Sequence, residues 1–233
     1  MNVVITGVTK GIGRAIAEKF AASSHTIIGC SRNEVDLYNT MDELLTRYQS
    51  CTVKVKPVDM SDAEQVKEFG KWLIEKDLVP DILVNNAGDF VPGSVHNEEE
   101  GALERMMNVN LYSAYHLTRT VLPEMMKRKQ GHIFNMCSIA SLQAYANGGA
   151  YSISKFALLG FSKNLREEMK PHGIKVTAVL PGATMTASWA GSNIDPNRIM
   201  EVNDIAEMVY TSSKLSPMAV VEDIILRPQL GDL

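Results

Sequence analysis

Residues 2–20 read NVVITGVTKGIGRAIAEKF. Asn2 to Thr6 is a short apolar run that stops at a glycine, the pattern of a strand buried on both faces. The turn that follows, Thr6-Gly7-Val8-Thr9-Lys10-Gly11-Ile12-Gly13, leads into a helical pattern through Ala15, Ile16, Ala17 and Phe20. Glycines let the backbone turn sharply and approach a pyrophosphate closely, while the free N–H groups and dipole of the helix N-terminus attract it. The spacing is Gly-x-x-x-Gly-x-Gly rather than Gly-x-Gly-x-x-Gly, but strand, turn and helix are the context a dinucleotide site requires. The expectation is an α/β chain with a Rossmann-type doubly wound parallel sheet in three layers, α/β/α.

The runs downstream extend that pattern. Thr26–Cys30 is a second strand, followed by a helix expected around Met41–Tyr48. Cys51–Val58 alternates Val53 and Val55 with Lys54 and Lys56, which suits a half-exposed edge strand, whereas Asp81–Val84 is solidly apolar and suits the sheet interior. Ser61 with Glu64 three residues later reads as a capping box opening a helix to about Lys76. One long helix is expected from about Glu98 to Lys129, kinked at Pro123, with Asn110, a mediocre interior helix residue, near its middle. Further strands are expected at His132–Cys137, Lys175–Leu180 and Asp223–Leu226, with a last helix from about Asn203.

Chemistry concentrates in residues 137–155, CSIASLQAYANGGAYSISK. A strand ending at Cys137 carries Ser138 to the carboxyl edge of the sheet, where open α/β sheets hold ligands. A helix with apolar repeat Ala150, Ile153, Ala157, Leu158 and Phe161 puts Tyr151 and Lys155 on one face, one turn apart. A phenol near its ordinary pKa of about 10 is protonated at neutral pH; a fixed cation beside it favours phenolate and makes it a usable acid or base.

These motifs together, TGVTKGIG, Asn85-Asn86-Ala87-Gly88, Ser138 and Tyr151-x-x-x-Lys155, resemble the short-chain dehydrogenase/reductase family over essentially the whole chain, 1–233, as one domain. The resemblance implies a catalytic set of Ser138, Tyr151, Lys155 and Asn110, the last in a proton relay. It implies a dinucleotide held by Gly7, Thr9, Lys10, Gly11, Ile12, Gly13, Arg32, Asp59, Met60, Asn86, Ala87, Gly88, Tyr151, Lys155, Pro181, Gly182 and Thr186. Ser31-Arg32-Asn33-Glu34 follows the second strand where such folds read the adenosine ribose, and Arg32 with Lys10 favours the 2′-phosphate of NADP(H) over NAD(H). The competing readings are that both are solvated charges, or that Glu34 or Asp36 takes the part of the acid that favours NAD(H). Ser138, Tyr145 and Trp189 are the expected substrate-lining residues, with Phe90 and Leu142 adding apolar surface and Ala187–Ile199 forming a lid.

Composition bounds the function. A net charge of -4 and a pI near 5.8 leave no electrostatic footprint for nucleic acid or an anionic membrane, and no apolar run has the length of a membrane span. Cys30, Cys51 and Cys137 are widely spaced and lack metal or disulfide patterning, so reduced thiols in the cytoplasm are expected and no metal. The reading is an NADPH-dependent oxidoreductase interconverting a small-molecule carbonyl and an alcohol, as a homodimer or homotetramer. A 3-oxoacyl-carrier-protein reductase is the nearest alternative; Lys127-Arg128-Lys129 reads first as a complement to the helix dipole, with a docking patch for an acidic carrier protein as the alternative. The chain departs from those reductases by ending Ile-Ile-Leu-Arg-Pro-Gln-Leu-Gly-Asp-Leu instead of carrying their Val-Asp-Gly-Gly segment. A non-catalytic NADPH-binding sensor or scaffold is the alternative from another class.

Overall fold

The computed structural model describes residues 1–186, 189 and 194–232. Seven parallel strands, β1 (Asn2–Thr6), β2 (Thr26–Ser31), β3 (Thr52–Pro57), β4 (Ile82–Asn85), β5 (Gly131–Met136), β6 (Ile174–Pro181) and β7 (Asp223–Leu226), form one sheet in the order β3-β2-β1-β4-β5-β6-β7. The chain winds outward from β1 to β3, then crosses to β4 and winds the other way, so the order reverses between β1 and β4. The carboxyl ends of the strands at that reversal are the place where doubly wound sheets bind ligands. β3 is the outer strand, as its lysine alternation implies.

Alternate strand residues feed two apolar layers. Val3 and Ile5 pack with Ile16 and Phe20 of α1 (Gly11–Ala21) and with Ile205 and Val209 of α7 (Val202–Ser213). On the other face, Val4, Leu83 and Ile133 pack with Phe69 and Leu73 of α3 (Ala63–Glu75) and Leu117 and Val121 of α5 (Ser113–Arg128). Each of these side chains is fully buried or nearly so, worth roughly 1.5–3 kcal/mol apiece by transfer from water. A polar line crosses the sheet inside this layer: Asn85 Nδ2 donates to Asn135 Oδ1 (2.8 Å) and Thr118 Oγ1 (3.1 Å), and Asn135 Nδ2 donates to Ser162 Oγ (2.9 Å). It fixes β4 and β5 against α5 and α6 (Gly149–Met169).

Four local expectations change. The second helix, α2, starts earlier and spans Glu34–Arg47, because Asn33 caps it, its Oδ1 accepting Asp36 N–H at 3.1 Å. Glu34 and Asp36 are then first-turn acids facing the helix dipole. Asp62, not Ser61, caps α3, accepting the N–H groups of Glu64 and Gln65, while Ser61 donates to Asp59 Oδ1. The long helix is interrupted: α4 (Ala102–Met107) and α5 are joined by a π-helical turn, Asn108–Tyr112, and α5 runs on through Pro123. Ile153, expected on the apolar face of α6, is exposed.

Candidate active site

The glycine turn is built for close approach. Gly7 (φ 69°) and Gly11 (φ 58°) occupy the left-handed region that side chains disfavour. A Cβ at Gly13 would sit 2.3 Å from Gly7 O and 2.4 Å from Asn86 Nδ2. Asn86 staples this turn to the end of β4: its Nδ2 donates to Thr6 O (2.8 Å) and Gly7 O (3.1 Å), and Thr6 Oγ1 accepts the N–H groups of Asn86 and Ala87. The Lys10 side chain makes no cap bond at the start of α1, whose first turn has no acid, so the helix end keeps its attraction for an anion. These features fit a dinucleotide pyrophosphate. Thr186 approaches the same turn, its Cγ2 3.5 Å from where a Gly11 Cβ would lie, and Pro181-Gly182 closes the end of β6, with Gly182 N–H donating to Leu226 O at 2.7 Å.

At the rim, Thr9 Oγ1 and Ser31 Oγ lie 3.4 Å apart, joining the glycine turn to the end of β2 beside exposed Arg32. Asp59 accepts from both the N–H and the hydroxyl of Ser61, a turn-capping role. The Met60 side chain is buried, with Sδ 3.7 Å from Cys30 Sγ.

The chemical centre lies between β4, β5 and α6. Ser138 follows β5 and is buried; its Oγ accepts the Ala140 N–H at 3.1 Å, which leaves the hydroxyl proton to donate, and it lies close enough to the Tyr151 phenol to favour its ionised form. Lys155 is buried, its Nζ donating to Met136 O at 2.7 Å and lying 5.7 Å from the centre of the Tyr151 ring. Gly88 is what lets these groups meet: a Cβ there would sit 3.0 Å from Asn110 Oδ1 and 3.4 Å from Lys155 Nζ.

The electrostatics differ from the sequence expectation. Burial pushes the Tyr151 phenol up to about 12, against the opposing pull of the Ser138 hydroxyl. Burial brings Lys155 down to about 8. Desolvation is the largest cause in both, and the phenol is a proton donor at neutral pH rather than a phenolate. Cys137, beside them, has its thiol pushed up to about 11 by burial, which keeps it protonated at neutral pH.

Asn110 sits in the π turn with its side chain fully used. Its Oδ1 accepts Asp89 N–H (2.8 Å), and Nδ2 donates to Asp89 O (3.1 Å) and Ser154 Oγ (2.9 Å); Ser154 in turn donates to Tyr151 O (2.7 Å). Ser154 has no signal of its own in the sequence. Removing the amide strands buried groups on both segments, so Asn110→Ala should lose about 2–4 kcal/mol in urea unfolding. Asn110→Asp keeps the acceptor but turns the donor edge into a buried carboxylate oxygen facing the Asp89 carbonyl, and should be at least as destabilised as alanine.

Around this centre, Phe90 meets Tyr151 edge to face, ring centres 4.9 Å apart at 84°. Tyr145 is exposed and lines a cavity of about 550 Å³ with Val95, Ile153 and Phe156; Ser138, Tyr151 and Lys155 do not line it. Trp189 is described, with its N–H on Thr186 O, but residues 187, 188 and 190–193 of the expected lid lie outside the described residues. Of the basic cluster, Lys127 pairs with Glu124 and Arg128 with Asp81 and Val79 O. Among the described residues there is no metal-ligating cluster, and no helix is long and apolar enough to cross a membrane.

A strand-order reversal, a glycine turn open to close approach and a Ser–Tyr–Lys group at the carboxyl ends of the strands define a dinucleotide-dependent oxidoreductase class. The sequence profile described as short chain dehydrogenase matches residues 1–197, and the chain belongs to that family. It is 32% identical to a protein named sepiapterin reductase from Chlorobaculum tepidum, over 99% of this chain and 97% of that one. Among solved structures it is similar to an alcohol dehydrogenase from the archaeon Thermococcus sibiricus complexed with 5-hydroxy-NADP (TM-score 0.89, 27% identity, 97% of this chain and 96% of that one). A closed serine dehydrogenase complexed with NADP+ matches equally well in shape (TM-score 0.89, 27% identity, 100% and 97%).

Proposed function

We propose that the chain is an NADPH-dependent carbonyl reductase, running also as the reverse alcohol oxidation. The observation that carries this reading is the convergence of buried Ser138 and Lys155 with Tyr151 beside Gly88, where a Cβ would lie only 3.4 Å from Lys155 Nζ. The glycine turn, Asn86-Ala87-Gly88, Pro181-Gly182 and Thr186 hold the dinucleotide; Arg32 and Lys10 take its 2′-phosphate. When bound, NADPH supplies the hydride. Ser138 donates a hydrogen bond to the substrate oxygen as charge develops there. Tyr151 transfers its proton to that oxygen. The Lys155 ammonium stabilises the phenolate left behind and holds the nicotinamide ribose, and Asn110 keeps the Gly88–Asp89 backbone and α6 in register. Names of relatives support the cofactor and class: two structural neighbours are described with NADP or its derivative, and a sequence relative is named sepiapterin reductase.

A small diffusible carbonyl fits better than a carrier-protein thioester, because two of the three cations in the Lys127–Lys129 patch are neutralised within the chain. Tyr112, Tyr115, Ile153 and Phe156 leave apolar surface exposed on α5, α6 and the turn between α4 and α5, and we assign to that surface the association of two or four copies, read by light scattering. Three buried, unpaired cysteines suit a reducing cytoplasm.

The test is NADPH and NADH oxidation against aliphatic and aromatic ketones, vicinal diketones, sepiapterin, aldehydes and a 3-oxoacyl thioester. Turnover that prefers NADPH is expected. NADPH binding with no turnover across the panel would favour the sensor reading instead.

A further inference from the structure

The helix that carries Tyr151 and Lys155 has no cap of its own. Gly148 precedes it without a side chain to offer, and its first turn has no acid, although it is the longest helix among the described residues and its first N–H groups need acceptors. The acceptor comes from 52 residues away: Glu98 Oε1 takes the Ala150 N–H at 2.6 Å. Gly149 makes this possible. A Cβ there would sit 1.7 Å from that same oxygen and 2.5 Å from Gly93 O, and its φ of 30° is one that side chains rarely adopt.

The contact is one end of a longer seam. Gly93 N–H donates to Asn147 O (3.1 Å) and Ser94 Oγ to Asn147 Oδ1 (2.9 Å), with Asn147 itself left-handed (φ 61°). At the other end of the same segment, Asn110 grips Asp89, and Phe90 lies against the Tyr151 ring. Residues 89–98 therefore leave the cofactor turn at Gly88, brace the phenol with Phe90 and reach the start of α6 with Glu98.

We propose that Glu98 is a positioning residue for Tyr151: it clamps the first turn of α6 to the segment following Gly88 and thereby sets the distance between phenol and cofactor site. The proposal rests on the reductase reading for its effect on turnover. Glu98 acts by reach, since the carboxylate spans the gap between two backbones. A displacement of the helix end by about 1 Å is enough to cost on the order of a hundredfold in rate.

The experiment compares Glu98→Ala, Glu98→Gln and Glu98→Asp in the full chain, measuring kcat, NADPH affinity and the ring ¹³C resonance of Tyr151, assigned by its loss in Tyr151→Phe. Expected are at least a tenfold fall in kcat for alanine, a loss of similar direction for the shorter aspartate, and recovery to within threefold of the parent for glutamine. NADPH affinity should stay within twofold throughout, and the Tyr151 resonance should move in alanine and aspartate but not in glutamine. Should alanine fail to fold, the aspartate and glutamine pair carries the comparison. An unmoved resonance in aspartate, glutamine as impaired as aspartate, or alanine turning over within twofold of the parent overturns the assignment. If the parent reduces nothing on the panel, the reductase reading falls, while the resonance still decides whether Glu98 positions the phenol.

Discussion

Tyr151→Phe should abolish carbonyl reduction while leaving NADPH binding within about threefold of the parent. In the proposed reaction the phenol gives its proton to an oxygen held by Ser138, and burial keeps it protonated, at about 12. Positioned general acids contribute roughly 10²–10⁴ in rate, so kcat should fall by about that factor. The substitution is nearly silent for the fold. Phenylalanine keeps the ring that meets Phe90 edge to face, and Ser138 retains the Ala140 contact, so stability should change by about 1 kcal/mol or less. Three measurements decide it: kcat, NADPH affinity from cofactor fluorescence, and the urea midpoint. A mutant as active as the parent would remove Tyr151 from the chemistry; a mutant that loses NADPH affinity in proportion to its activity would make it a binding group instead.

What the sequence revealed about this site follows the range of the forces involved. β1 and its glycine turn were legible because an apolar run, left-handed glycines and a helix start are local features, and β3 because edge and interior strands differ in composition. Tyr151 and Lys155 share a helix, so spacing alone brings them together. The start of α2 was missed because a single asparagine cap reaches only Asp36 and has no hydrophobic repeat to announce it. The π turn at Asn110 adds one backbone step that no residue in Asn108–Tyr112 encodes by type; it is selected by what Asn110 touches on Asp89 and Ser154. Glu98 was invisible for the same reason, since its partner lies 52 residues on. The protonation of Tyr151 was misjudged because counting a neighbouring charge ignores burial, and burial is a property of the assembled core.

Lys155 carries the second large effect, with a sign that separates function from stability. Its pKa is brought down from 10.5 to about 8 by burial, so the ammonium exists below about pH 8 and the neutral amine above it. If the ammonium is what stabilises the phenolate as it forms, kcat/KM for reduction should be flat from about pH 6 to 7.5 and fall tenfold per unit above 8. Tyr151 titrates too high to produce that limb. Lys155→Met should lower kcat/KM by about 10²–10⁴ and leave its residual activity without an alkaline limb. Stability should move the other way. Between about pH 8 and 10.5 the unfolded chain binds the proton that the folded chain has released, so this group makes the parent more stable as pH rises through that window, and below it imposes the full cost of a buried charge. That cost is on the order of 3 kcal/mol; setting against it about 1–2 kcal/mol for the stranded Met136 carbonyl, Lys155→Met should be about 1–2 kcal/mol more stable than the parent at pH 7. Urea unfolding of both proteins at pH 7 and 9.5 measures it. A methionine variant less stable at pH 7, or a parent whose rate stays level to pH 10, would show that the lysine is not a buried ammonium held against its own solvation for the sake of the reaction.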